Sequence, residues 1–327
     1  MGLGWYITRR VGWAFIVTFI IVSITWALLA AAPNPEIAQA ATQVALQGGD
    51  PADAQAAAER ARELRGLDAP LYQRYIDYVT GVYTLDWGWS ETRSQPVIQA
   101  ILGALYYTAQ YSIPWTLLVI IIGPMVGLYS SATQYSWKDH LATGFAFFGY
   151  AIPNFFFGII LLLIFGVELG WIPVIYNTGV PVFSLENARQ LAVPVFVLVT
   201  GSIGGIMRVS RNESAAFMNA DFVKTANAKG VSKLRIYARH VLRPTMVPLS
   251  TTMISQLLYL FVGSSLLVEI VFGIPGIGRL SYRAIIAQDT SVVLGFTLFF
   301  TFVATIANLL QDITYTVLDP RIDFDDR

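Results

Sequence analysis

Six stretches of the chain are almost continuously apolar for about 20 residues each, the length needed to cross a bilayer core as a helix. They run Val11–Ala31, Leu105–Tyr129, Leu141–Val167, Leu191–Met207, Met246–Phe272 and Val292–Thr316. The fourth is diluted by Thr200, Gly201, Ser202, Gly204 and Gly205, small residues of the kind found where membrane helices pack closely. The first resembles a signal peptide in having Arg9-Arg10 before it and Ala30-Ala31-Ala32 at its end. Its apolar part is too long and too aromatic for a normal h-region, which predicts a retained span.

The polar connections give the orientation. Arg9 and Arg10 precede the first span, placing the N-terminus in the cytosol, and six spans return the C-terminus there. The connections then predicted inside carry Lys138, Arg208, Arg211, Lys224, Lys229, Lys233, Arg235, Arg239 and Arg243. The short connections predicted outside, Glu168–Gln190 and Gly273–Ser291, carry only Arg189, Arg279 and Arg283. Residues 32–103 form a long outer region. Within it Pro51–Arg65 reads as a helix, followed by Tyr72, Tyr75, Tyr78, Tyr83, Trp87 and Trp89. That aromatic density suits a membrane surface or a docking face, and equally a small cap packed on the span ends.

One inner connection stands apart. Asp221–Pro244 reads as two short helices joined at a glycine. Asp221 is placed to cap the first helix, and Gly230 to end it in the left-handed conformation. Ser232 is placed to cap the second, whose last turn holds Arg239, His240 and Arg243 before Pro244 stops it. Juxtamembrane Lys and Arg often do no more than fix topology and touch anionic lipid. That accounts for the charge but not for the helix–Gly–helix order.

Composition agrees with a membrane protein. The 327 residues are 55% hydrophobic and only 13% charged, against about 25% charged in soluble domains. Formal net charge is zero, so no overall field draws nucleic acid. Without cysteine there are no disulfides, thiolate nucleophiles or Cys-type zinc sites. His140 and His240 are the only histidines. No Gly-Lys pair occurs, which excludes a P-loop. Gly273-Ile-Pro-Gly-Ile-Gly278 has neither the spacing nor the βαβ setting of a dinucleotide loop. Hydrolase elbows and His-Glu-x-x-His are also missing, so a catalytic role is not expected.

Ion-driven carriers use ionisable groups inside the membrane, and here the spans hold few. Glu269 lies toward the outer end of the fifth and Asp312 toward the inner end of the sixth. Glu269 reads either as a functional buried acid or as an interfacial partner of Arg279 or Arg283, the second being favoured. Uncharged polar groups are commoner: Ser112, Ser255 and Ser265 beside Gln110, Asn154, Gln256, Ser264 and Asn308. The last five are candidates to line a path for a polar solute, although each alone is more often a helix–helix hydrogen bond. Pro114, Pro153 and Pro194 interrupt hydrogen bonding in or near three spans.

Asp221-Phe-Val-Lys-Thr-Ala-Asn-Ala-Lys-Gly230, with Arg239-His240 and Pro248 after it, resembles the "EAA" loop of ABC importer permeases. Lys224, Thr225 and Ala226 stand where Glu-Ala-Ala would be, and only the alanine and Gly230 match the general pattern. The departure resembles the dipeptide, oligopeptide and nickel branch. Tyr6-Ile-Thr-Arg-Arg10, Leu67-Asp-Ala-Pro-Leu71, Gly170-Trp-Ile-Pro173, Glu269–Leu280 and Leu318-Asp-Pro-Arg321 are similar to the first permease subunit of that branch. The resemblance covers almost the whole chain and is weakest in Ala32–Asp50 and Asp86–Gln99.

It implies an all-α, six-helix permease of the type I (MetI-like) fold. Residues 1–31 would be the N-terminus and first helix, and 104–317 a five-helix core containing a coupling loop at 209–243. Residues 318–327 would be a cytosolic tail. It implies a homologous second permease, two ABC ATPases and an extracytoplasmic solute-binding protein. ATP and Mg would bind on the ATPases and no cofactor on this chain. ATPase-docking residues would be Asp221, Lys224, Thr225, Ala226, Lys229 and Gly230. The implied solute is a di- or oligopeptide, with oligosaccharide and nickel chelate as alternatives. A stand-alone carrier or channel is the competing class. Its marks, charges within spans or an inverted repeat, are not visible.

Overall fold

The computed structural model describes residues 3–31, 35–64, 66–262 and 266–318. Its helices are α1 (Leu3–Ala31), α2 (Pro35–Leu46), α3 (Pro51–Leu64), α4 (Leu71–Tyr83), α5 (Val97–Ala132), α6 (Trp137–Ala151), α7 (Asn154–Leu161), α8 (Leu185–Met218), α9 (Asp221–Ala228), α10 (Lys233–Arg235), α11 (Leu242–Val262), α12 (Leu266–Phe272), α13 (Ile277–Ile286) and α14 (Thr290–Leu318). Among the described residues the departure from all-helical structure is one small antiparallel pair, β1 (Trp89–Ser90) with β2 (Gln95–Pro96).

Four helical segments are long and apolar enough to span a membrane: Gly4–Ala31, Val97–Ala132, Leu185–Met218 and Thr290–Ile313. α6 with α7 and its π-helical continuation Leu162–Glu168 makes a fifth if that bent pair is one span. The expected fifth span is represented by α11 and α12, on either side of residues 263–265, which lie outside the described residues. Six spans are compatible with this division. The third span is interrupted at Pro153, as its sequence implies, and its two limbs are bent by 100° relative to one another. Ile152, preceding Pro153, is extended at φ −92° and ψ 127°, because the proline ring excludes the helical conformation from the residue before it.

The chain divides into two compact units. One comprises Thr8–Ile101 and Arg283–Thr305. Within it the aromatics between Tyr72 and Trp89 mostly pack against other rings. Tyr83 stacks on Phe15 at 5.3 Å, Tyr75 meets Trp26 edge-on at 5.1 Å, and Trp87 lies parallel to Phe302 at 6.2 Å. Tyr72 and Trp89 stay exposed. Tyr75, Tyr83 and Trp87 thus pack on α1 and α14, two of them at Phe15 and Phe302 in the body of those helices rather than at their ends.

Asp289 starts α14 and ties it to the small β pair. Its carboxylate accepts from Ser90 Oγ (2.8 Å), Thr92 Oγ1 (2.7 Å), Thr92 N–H (3.2 Å) and Val292 N–H (3.2 Å). Burial alone would raise its pKa; these bonds outweigh burial and hold it below the usual aspartate range. A depressed folded pKa contributes stability that is complete above the unfolded value near 4 and is lost as pH falls through the folded one. Thermal melts at descending acid pH should therefore show a stability loss that Asp289→Asn lacks. Parallel curves for the two proteins would refute this role.

The other unit contains Leu102–Tyr282 with Met1–Ile7 and Ile306–Arg327. Its core gathers Tyr111, Trp115, Val119, Leu198, Leu249, Val268 and Phe272. The diluted fourth span sits inside α8, where its small residues serve close packing. A Cβ on Gly204 would lie 2.9 Å from the Ala146 carbonyl oxygen. One on Gly201 would overlap the Asn154 side-chain amide, and one on Gly149 the Thr200 carbonyl.

Candidate functional site

The segment beginning at Asp221 folds as a helical hairpin. In α9, Val223 and Ala226 are buried and pack with Ile236 and Val241 in a small core flanked by Leu128, Phe217, Met218, Val231 and Tyr237. The spacing of three places both on one face of the helix. Asp221, Phe222, Lys224, Thr225 and Lys229 face away and are exposed. The Lys224 Nζ–Asp221 Oδ1 contact of 2.9 Å joins two side chains that are 68% and 96% exposed, so it adds little. Ala226, grouped above with the outward docking residues, instead seats the helix.

Gly230 ends α9 as expected, at φ +74°. Its N–H donates to Asn227 O at 2.9 Å, and Val231 N–H donates to Ala226 O at 3.1 Å. That is the Schellman pair of bonds, with Val231 reaching the small core as its apolar partner. No atom lies within 4 Å of a Cβ built on Gly230, so the demand for glycine is conformational rather than steric.

Three local expectations are corrected. Asp221 is the first helical residue rather than the cap; Ala220 holds the cap position and offers no side-chain bond. Ser232 precedes α10 with an extended backbone, but its side chain makes no capping bond. Pro244 does not stop the second helix. Ile236–Val241 is π-helical and runs directly into α11, where Pro244 is the third residue. A proline in the first turn of an α segment forfeits little, and the wide π turn is a known way to absorb such a defect. The hairpin's second arm is thus continuous with α11, in the expected fifth span, and its first follows α8 after Asn219 and Ala220.

α8 is itself locked to its neighbours. Arg211 donates from Nη2 to Asp139 Oδ2 (2.9 Å) and from Nε to Asp139 Oδ1 (3.1 Å). Asp139 also accepts from Ser130 Oγ and from Tyr135 N–H. Ser210 Oγ donates to Pro124 O at 2.8 Å. These contacts join α8 to α5 and α6, and sequence reasoning missed them: Asp139 and Arg211 are 72 residues apart, and no local spacing announces the pair.

The five path candidates are dispersed. Gln110 on α5 accepts from Tyr176 OH (2.9 Å) and Asn187 Nδ2 (3.0 Å), within an amide network that also holds Gln190 and the Asn177 backbone. Asn154 opens α7 against Gly201. Gln256 on α11 has a buried Nε2 with no partner among the described residues. Asn308 on α14 is exposed. Ser264 lies outside the described residues. No hydrogen bond joins any two of the four described candidates.

Glu269 is fully buried, and the favoured guanidinium pairing is not what holds it. It accepts from Thr108 Oγ1 (2.9 Å), Tyr111 OH (2.7 Å) and the backbone N–H of Arg279 (2.8 Å). The Arg279 guanidinium donates instead to Gly273 O.

The hairpin follows α8, one of the helices long and apolar enough to span a membrane. Residues 120–324 match the family of binding-protein-dependent transport system inner membrane components. The chain belongs to this family. It is 33% identical over 280 residues to the oligopeptide transport system permease protein AppB of Bacillus subtilis (strain 168), covering 84% of this chain and 88% of that protein. It is 30% identical to the oligopeptide transport system permease protein OppB of Haemophilus influenzae over 260 residues, covering 79% and 82%. With the glutathione transport system permease protein GsiC of Escherichia coli (strain K12) it shares 30% over 279 residues, covering 85% and 88%. As a family member the chain is a multi-pass transport permease subunit, and α9 with Gly230 lies within the matched region.

Proposed function

We propose that this permease imports peptides, driven through α9 by a separate ATPase. The carrying observation is mechanical: a hairpin seated by Val223 and Ala226 presents an outward face, and both its arms lead into membrane helices. Force applied at Phe222, Lys224, Thr225 and Lys229 would reach α8 and α11 without crossing a flexible linker. Rocking of those helices between outward-open and inward-open states is how such a push becomes transport. A peptide cargo is supported by the relatives, two named for oligopeptides and one for glutathione, itself a tripeptide. In this scheme a homologous permease completes the pore and an outer binding protein delivers the peptide. Two ATPases bind ATP and Mg, this chain holds no cofactor, and both termini face the cytosol.

A single cysteine at Asn227, exposed on α9, tests the arrangement, since the natural chain has none. It should react with a membrane-impermeant thiol reagent only from the cytosolic side, and should cross-link to the ATPase in the assembled complex. Labelling from outside intact cells would overturn the orientation, and cytosolic labelling without any ATPase cross-link would overturn the docking role.

Gly230→Val should reduce ATP-driven uptake about tenfold or more while leaving the membrane level unchanged, because the left-handed conformation costs a β-branched residue about 1–2 kcal/mol or more. Gly230→Asn should retain most uptake, asparagine being tolerated at such helix ends. Equal uptake by the valine variant and wild type would refute a mechanical role for this turn.

A further inference from the structure

A cleft of about 650 Å³ opens between α6 and α8, with α6 residues 139–150 on one wall and α8 residues 204–212 on the other. At 1.5 Å per residue the walls run roughly 12–16 Å. The cleft is graded along its length. One end carries Arg208, Asn212 and His140; the other carries Phe147, Tyr150 and the bare backbone of Gly205. Arg211 and Asp139 also reach the polar end, but they neutralise each other. The Arg208 guanidinium makes no hydrogen bond or ion pair among the described residues, so the polar end is net positive. Asp139 is the only acidic residue on the lining, and it is already engaged.

We propose that this cleft binds an anionic phospholipid, its phosphate on Arg208 with Asn212 and His140 as further donors and its acyl chains along Phe147 and Tyr150. The assignment rests on the cytosolic orientation of the preceding section, which puts the basic end at headgroup level of the inner leaflet. Basic pockets between membrane helices on that side suit anionic headgroups, and an arginine fork matches phosphate bidentately. The volume and the polar-to-apolar grading fit one headgroup with the start of its chains. A homologous permease, basic on the same side, would bring like charge to Arg208.

The test uses the detergent-purified complex containing the full chain, titrated with phosphatidylglycerol or phosphatidylcholine and read by native mass spectrometry. Arg208→Gln should weaken retention of phosphatidylglycerol about fivefold, the scale of one basic contact, and leave phosphatidylcholine unchanged. Gly205→Leu fills the apolar end, where a built Cβ meets nothing within 4 Å, and removes a helix-weakening glycine. It should weaken phosphatidylglycerol comparably although every charge remains. Wild-type retention by both variants would overturn the site. So would displacement by millimolar inorganic phosphate, which would mean a free-anion site, or a cross-link from a cysteine at Phe147 to the second permease, which would mean a protein-covered face. Cytosolic labelling at Asn227 alongside unchanged lipid retention sinks this inference alone; labelling at Asn227 from outside sinks the orientation and this site with it.

Discussion

Glu269→Ala is expected to lower the melting temperature of the detergent-purified protein by on the order of 5 °C or more. The carboxylate is 0% exposed and satisfies Thr108, Tyr111 and the Arg279 N–H at once. Thr108 passes the network on, since its Oγ1 also accepts from Ile277 N–H at 2.9 Å. One carboxylate thereby fastens the chain around α12 and the start of α13 to α5. Removing it orphans buried donors at about 1–3 kcal/mol each, for a total of roughly 3 kcal/mol. For chains above 150 residues that is about 2–4 °C per kcal/mol at most. Glu269→Gln should fall between: its carbonyl can still accept from Thr108 or Tyr111, but its amide would face the Arg279 N–H, donor against donor. Melts showing alanine and wild type together would remove Glu269 from any structural role.

The same network explains a pattern that sequence alone described only by exclusion. The Gly273–Gly278 run is not a nucleotide loop. A Cβ at Gly276 would overlap Glu269 Oε1, and one at Gly278 would lie 2.8 Å from Leu266 Cα. These glycines let the backbone close over a buried acid. That could not be read along the chain, because the acid's other partners, Thr108 and Tyr111, are 161 and 158 residues away. What was legible depended on local grammar. Apolar runs located the membrane segments, and a glycine after Lys229 located the left-handed turn. Among the small residues at 200–205, Gly201 and Gly204 marked close packing of α8, while Gly205 faces open space. A proline at 153 marked a break, though not its size. Local grammar failed where neighbouring structure overrode it. Pro244 was a sound stop signal until a π turn absorbed it, and Asp221 was a good cap type displaced by one residue. Gln110, polar in an apolar span, was equally readable as path or glue; its carbonyl is engaged by Tyr176 and Asn187.

Gly127→Leu is expected to be at least as damaging as the loss of Glu269, and to damage transport as well as stability. α8 lies so close to α5 that a Cβ at Gly127 would sit 2.5 Å from Met207 O, 2.6 Å from Ser210 Cβ and 2.9 Å from Arg211 N. One turn earlier, a Cβ at Gly123 would sit 2.8 Å from Ile206 Cγ2. Met207 O and Arg211 N are backbone atoms, so no side-chain rotation relieves the overlap; α8 itself must move away. Moving it breaks the Ser210–Pro124 bond and strains the Arg211–Asp139 pair, which holds a nearly buried carboxylate. Overpacking costs about 1–3 kcal/mol for small additions, so Gly127→Ala should already lower the melting temperature and leucine should lower it further. Because only Asn219 and Ala220 separate α8 from α9, the displacement should also blunt the proposed response to the ATPase, so uptake per folded complex falls along with the yield. Gly144→Leu is the control: it lies on α6 with nothing within 4 Å of its Cβ, so it meets no overlap and only removes a helix-weakening glycine. Paired thermal melts and ATP-driven uptake in proteoliposomes read both effects. Were leucine at 127 as harmless as leucine at 144, α8 would not be the tightly held lever that passes force from α9 into the membrane.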